Sequence, residues 1–142
     1  MIKTYYLAYG SNLCERDMAH RCADARPVDD SFIEDYKLTF REGYANIEPC
    51  KGSKVPVGVW SVSSNDIQKL DFYEGYPEFY DRKSVKFKKD GFDMNGLVYI
   101  MNDGYKLRKP DIWYVDTLRE GYRNFDLDMS YLDEALAEAI DE

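Results

Sequence analysis

Gly, Pro and Asn recur at short intervals along this chain, and between them lie brief apolar runs rich in Tyr, Val and Phe. Such punctuation confines regular structure to short strands, because each breaker needs a special backbone angle or withholds an amide donor from a ladder. Strands are expected over 4–9, 32–40, 55–62, 80–88 and 96–101. Lys89-Asp90-Gly91 carries turn chemistry, so the last two strands should form a hairpin.

Helical spacing appears in four places. The stretch 13–21 follows Asn12, a good N-cap, with Glu15 three residues on as in a capping box. A second helix is expected over 65–73 behind Ser63 or Ser64, with Ile67 and Leu70 on one stripe and Gly75 just past its end. A third should start at Pro110 and end at Gly121, and a fourth should cover 131–140 behind Ser130, with Leu132, Leu136 and Ile140 spaced by fours. Strands outnumber helices without regular alternation, which points to a mostly antiparallel α+β domain over 1–142 and away from a doubly wound parallel sheet. Spacing does not decide whether the sheet closes into a barrel.

The 142 residues suit one domain, and no Gly-, Ser- or Pro-rich linker divides them. At 44% hydrophobic and 15% aromatic, the chain has the material for a packed core. A formal charge of -8 repels phosphodiester backbones, so no nucleic-acid partner is expected. Gly10-Ser11-Asn12 interrupts the first apolar run too early for a signal-peptide core, and no stretch is long enough to cross a membrane. Cys14, Cys22 and Cys50 form an odd set without C-x-x-C spacing, which fits a reducing compartment, and the cytoplasm is the expected location. With His20 they make a nominal Cys3His set, but none of the close paired spacings of a zinc site is present, so no metal is expected.

Two features carry chemistry. Tyr6-Leu7-Ala8-Tyr9-Gly10-Ser11-Asn12-Leu13 runs from a strand through a glycine corner into a helix N-terminus, where amide groups lack internal partners and a developing oxyanion can be bound. A capped turn without a ligand accounts for the same residues. Glu74 follows Leu70 by four and Ile67 by seven, so a continuous helix puts its carboxylate on the apolar stripe, where desolvation raises its pKa toward the range useful for proton transfer. If the helix frays first, the side chain reaches water instead. Asp71 reads as a solvated helix residue and Glu78 as part of a loop. His20, the only histidine, is the one route to a Ser-His or Cys-His arrangement, and its place between Arg and small residues does not suggest a base.

In this order and spacing, Tyr6-x-Ala8-Tyr9-Gly10-Ser11-Asn12-Leu13, Gly58-Val59-Trp60, Leu70-Asp71-x-x-Glu74-Gly75, Tyr80-x-Arg82 and Pro110-Asp111-Ile112-Trp113-Tyr114 with the downstream Gly121 resemble the gamma-glutamyl cyclotransferase family. Each motif is modest, but their joint occurrence is specific and spans nearly the whole chain. The resemblance implies a small mixed, mostly antiparallel β-barrel flanked by short helices. It implies substrate binding by Tyr6, Leu7, Ala8, Tyr9, Gly10, Ser11 and Asn12, with Glu74 as the catalytic acid-base group. Tyr114 would contact the gamma-glutamyl group, and Tyr80 and Tyr99 would line the pocket. Asp111 stands where Ser is common, a change that preserves a helix cap.

The reaction so implied is intramolecular acyl transfer, giving 5-oxoproline and a free amine or amino acid without a cofactor. The motifs lean toward the branch acting on gamma-glutamylamines. The implied partner is a small gamma-glutamyl molecule, with the protein a monomer or homodimer. The need for a charge partner to the substrate carboxylate directs attention to Arg82 or Arg41. A non-catalytic small-molecule-binding or regulatory protein that keeps the pocket, and a different acyl-transfer or lyase reaction on the same groups, are the competing readings.

Overall fold

The structure, a computed structural model, describes residues 4–142. Five strands and four α-helices follow in the order β1 (Thr4–Ala8), α1 (Glu15–Arg21), β2 (Arg26–Arg41), β3 (Tyr44–Val62), α2 (Ser64–Glu74), β4 (Tyr80–Lys89), β5 (Phe92–Met101), α3 (Ile112–Asn124) and α4 (Met129–Glu138). A 3-10 turn, Ser11–Leu13, separates β1 from α1.

Two hairpins with the same turn chemistry frame the sheet. Asp90-Gly91 joins β4 to β5 with φ of 53° and 81°, as expected from Lys89-Asp90-Gly91. Glu42-Gly43 joins β2 to β3 with φ of 53° and 82°. Two successive positive φ angles match the right-handed twist of paired strands, which is why such turns close tight hairpins. This second hairpin is far longer than the expected 32–40 and 55–62 strands. Pro49 and Gly52 break the apolar pattern of β3, yet the strand continues because the irregularity is absorbed by a bulge between Glu34 and Tyr36. There Asp35 takes φ 65° and its carboxylate accepts the Gly52 amide at 3.0 Å.

The strand order is β2-β3-β1-β5-β4, antiparallel throughout except for the parallel β1–β5 pairing at Tyr6↔Leu97. β1 therefore lies between the hairpins with Leu7 and Ala8 fully buried, and its C-terminal end delivers Gly10-Ser11-Asn12 to one end of the sheet. The α+β expectation stands, while the barrel is corrected. The edge strands approach, with the Ser31 hydroxyl donating to the Lys88 carbonyl at 2.9 Å, but no backbone ladder joins β2 to β4 among the described residues. Pro27 and the bulges along β2 remove the regular donors that closure requires.

Several helix boundaries also shift, and α3 runs past Gly121 to Asn124. Asp111 rather than Pro110 precedes α3, accepting the Tyr114 amide at 2.9 Å, so the acidic replacement does cap the helix. Asp128 rather than Ser130 caps α4, and Ile140 falls beyond the helix end, 52% exposed. Ser63 caps α2 in a reciprocal box with Asp66, as one of the two expected serines. Asn12 caps nothing, because its side chain is buried and engaged elsewhere.

α3 lies directly on the turn after β1. A Cβ on Gly121 would meet the Leu13 Cβ at 2.4 Å and the Cys14 amide nitrogen at 2.9 Å, so glycine is what permits this approach. Inside a helix, Gly→Ala ordinarily gains about 1 kcal/mol. Here the clash involves backbone, and overpacking of that kind costs about 1–3 kcal/mol or more. Gly121→Ala is expected to lower stability by about 2 kcal/mol or more, read as a fall in the urea midpoint without a change in slope.

Candidate active site

At the end of β1 the chain turns through Gly10, where a Cβ would lie 3.2 Å from the Ala45 Cβ and 3.3 Å from the Tyr114 hydroxyl oxygen. The missing side chain lets β1, β3 and the first turn of α3 converge around one cavity of about 280 Å³. Its walls include Tyr6, Tyr9, Ser11, Asn12 and Glu74, faced by Tyr80, Tyr99 and Tyr114. Tyr44, Ala45, Tyr73 and Phe79 complete it.

The turn is held from outside the cavity. Trp60 donates its indole N–H to the Asn12 carbonyl at 3.0 Å, and the Trp60 ring meets Phe125 edge-on at 5.4 Å. Phe125 in turn fits over Gly58, where a Cβ would stand 2.7 Å from the ring. Gly58-Val59-Trp60 is thus the buttress of the loop. The first internal bond of the 3-10 turn runs from the Leu13 amide to the Gly10 carbonyl at 3.0 Å, so the amides of Ser11 and Asn12 precede it and have no partner within the turn.

Asn12 joins the loop to the acid. Its Nδ2 donates to the Tyr6 hydroxyl oxygen at 2.9 Å and to Glu74 Oε1 at 3.3 Å. Glu74 is the last residue of α2, which stops there because Gly75 adopts φ 66° and caps the helix. Leu70, fully buried one turn earlier, fixes the face on which Glu74 emerges. The helix does not fray before Glu74. Burial pushes its carboxyl up to about 7, with the Arg21 charge pulling the other way.

The tyrosines divide by the direction of their hydrogen bonds. Tyr9 donates to the Tyr99 carbonyl, Tyr80 to the Ala45 carbonyl and Tyr99 to Asp71 Oδ1, each at 2.7 Å. Tyr6 accepts from Asn12 and Tyr114 accepts from the Ala45 amide at 3.0 Å. The O–H protons of these last two have no acceptor among the described residues. Burial is the largest cause raising all five, so they are neutral phenols near pH 7 and Tyr6 and Tyr114 remain hydrogen-bond donors toward the cavity.

Of the sequence candidates, Leu7 and Ala8 lie in the sheet core behind the cavity wall. Arg82 lies outside the cavity on the exposed face of β4, pairing with Asp71 Oδ2 at 3.0 Å and stacking 4.1 Å over the Tyr76 ring. Asp71, read as a solvated residue, is instead the shared acceptor of Tyr99 and Arg82. Arg41 also lies outside, bound to Glu48 at 2.8 Å. His20 is exposed on α1. Cys14, Cys22 and Cys50 are free thiols on separate elements, with Cys14 donating to Glu120. No three His, Cys, Asp or Glu side chains converge as a metal set among the described residues. Tyr44, Ala45 and Arg21 escaped sequence reasoning. The Glu42-Gly43 turn was the available signal for the first two, and Arg21 carries none.

Comparisons with known proteins bear on the family and the fold. A family model described as gamma-glutamyl cyclotransferase, AIG2-like, matches residues 6–127. A solved structure described as a gamma-glutamyl cyclotransferase superposes with a TM-score of 0.87 at 23% identity, covering 99% of this chain and 90% of that one. An uncharacterized protein from Homo sapiens gives 0.85 at 24% identity over 99% of this chain and 89% of its own. An AIG2-like protein from Mus musculus gives 0.61 at 17% identity, covering 81% and 84%. At these identities the structural likeness speaks for the fold. A search of curated proteins by sequence found no match. No helix among the described residues is long and apolar enough to cross a membrane.

Glu74 binds its proton more tightly in the folded chain than in the unfolded one. The folded state therefore loses stability as pH rises through the ordinary value of 4.5, and the loss is complete above about 7. Glu74→Gln lacks this titration. In urea denaturation the variant should match the wild type at about pH 4 and exceed it by on the order of 2 kcal/mol at about pH 8.

Proposed function

Because the chain belongs to the gamma-glutamyl cyclotransferase, AIG2-like family, we propose that it converts a gamma-glutamyl amine or gamma-glutamyl amino acid into 5-oxoproline and the free amine, with Glu74 as the proton relay. The observation that carries this reading is Glu74 itself, a half-buried carboxyl balanced near neutrality on the wall of a cavity it shares with the Gly10-Ser11-Asn12 turn.

Glu74 as carboxylate takes a proton from the substrate's α-ammonium. The freed amine nitrogen attacks the side-chain amide carbon, forming the new C–N bond of a five-membered ring and placing the carbonyl electron pair on oxygen. The amides of Ser11 and Asn12 and the hydroxyl of Tyr114 are the donors assigned to that oxyanion. The intermediate collapses as the carbonyl re-forms, the bond to the leaving nitrogen breaks, and protonated Glu74 gives that nitrogen its proton. Overall two protons leave the attacking nitrogen and two arrive on the departing one. Glu74 carries one, and the other exchanges with solvent at the cavity mouth. Nucleophile and carbonyl share one molecule, so folding the substrate and moving protons suffice.

Positioned acid-base groups contribute about 10²- to 10⁴-fold. Glu74→Gln should therefore lower kcat/KM by at least about 10²-fold while the protein remains folded. In the wild type, kcat/KM should fall about tenfold per pH unit below roughly pH 7, since the carboxylate is the active form. Both are read from 5-oxoproline release across a panel of gamma-glutamyl amines and amino acids. Binding of panel members without 5-oxoproline would assign the cavity to a non-catalytic protein, and full activity in Glu74→Gln would remove this residue from the mechanism.

A further inference from the structure

Glu74 is the one charged side chain among the described residues lining the cavity, yet a cation stands immediately behind the wall. Arg21, the last residue of α1, donates from Nη1 to Asn12 Oδ1 at 2.7 Å. Its guanidinium lies 3.8 Å from the centre of the Tyr73 ring, and the Tyr73 hydroxyl is 3.0 Å from Ser11 Oγ. No carboxylate lies within salt-bridge distance of it among the described residues.

An amide side chain has one accepting and one donating end. With Arg21 fixed on its oxygen, Asn12 presents Nδ2 to Glu74 Oε1 and the Tyr6 hydroxyl. With the amide reversed, two oxygens would face each other across that contact and Arg21 would meet an NH2 group. We propose that Arg21 is a positioning residue for Glu74, fixing which end of the Asn12 amide reaches the carboxylate and supplying the cation that faces it through the cavity wall. The inference rests on the reading of Glu74 as proton relay.

The other groups facing Glu74 do not supply such a charge. Tyr6 and Tyr9 from β1, Tyr80 from β4, Tyr99 from β5 and Tyr114 from α3 are neutral phenols. The nearest other carboxylate on α2, Asp71, is engaged by Tyr99 and Arg82. Arg21 is the group that opposes burial at Glu74. Lysine retains the charge but not the planar fork that both reaches Oδ1 and stacks on Tyr73.

The test compares Arg21→Met, Arg21→Gln and Arg21→Lys with the wild type in two measurements. One is the acid limb of kcat/KM for 5-oxoproline release. The other is a carbon NMR titration of the Glu74 carboxyl, identified by its loss in Glu74→Gln. In the Met and Gln variants, limb and NMR midpoint should rise together by about half a pH unit or more. In these variants kcat should fall roughly tenfold with KM within about threefold, and Lys should keep the wild-type midpoint. A purely structural role would alter stability without moving the titration. Neutral variants that titrate like the wild type, or a Lys variant that moves as far as Gln, overturn the proposal. Should Met fail to fold, the Gln and Lys pair decides. Should the wild type release no 5-oxoproline at all, the functional reading fails, and the NMR midpoints still decide the role of Arg21.

Discussion

The hydrogen bonds of one buried side chain organise this molecule. Asn12 ties the end of the central strand to the end of α2 through Glu74, to the sheet interior through Tyr6, and to α1 through Arg21, while its own carbonyl is held by Trp60. A buried amide left unpaired costs about 1–3 kcal/mol, so each partner is under pressure to stay in place. The same network fixes the distance between a turn with unpartnered amides and an acid near its titration midpoint. Rigid secondary structure on both sides makes that distance a property of the fold.

Close approach is the second constraint, and it explains why the motifs are spelled as they are. Gly10 brings β1 against Ala45 and the Tyr114 hydroxyl, and Gly121 lets α3 rest on the Leu13 backbone. Without these two contacts Tyr114 would not reach the cavity. Asp111 serves the same end, since capping α3 at the Tyr114 amide fixes the first turn that carries that tyrosine. Several residues of the motifs are packing conditions for the few that face the cavity.

Glu74 and the tyrosines show two opposite uses of burial. For the acid, loss of water brings the two protonation states close in free energy near neutral pH, as the proposed proton relay requires. For Tyr6 and Tyr114, loss of water secures the neutral form and preserves their O–H groups as donors. Burial thus destabilises one carboxylate and protects the surrounding phenols, so a single pocket holds a carboxyl near its midpoint and hydrogen-bond donors together.

Local sequence determined the elements whose signals are local. The Asp90-Gly91 hairpin, the Ser63 cap, the stop at Gly75 and the inward face shared by Leu70 and Glu74 all follow from neighbours within one turn or one strand pair. The long β2–β3 hairpin was hidden because Pro49 and Gly52 break the alternation locally, and only pairing across the bulge at Asp35 shows that the strand continues. Asn12 was misread as a cap for the same reason: its cap-like setting is local, but its partners lie 6, 9, 48 and 62 residues away. Glu74 and the glycine turn stood out locally as candidates, and the structure places both on the wall of one cavity. That Arg82 and Arg41 would be engaged elsewhere, that Tyr44 would enter the wall and that Arg21 would stand behind it was decided by the tertiary structure, because a side chain's role in a pocket depends on residues brought to it by other elements.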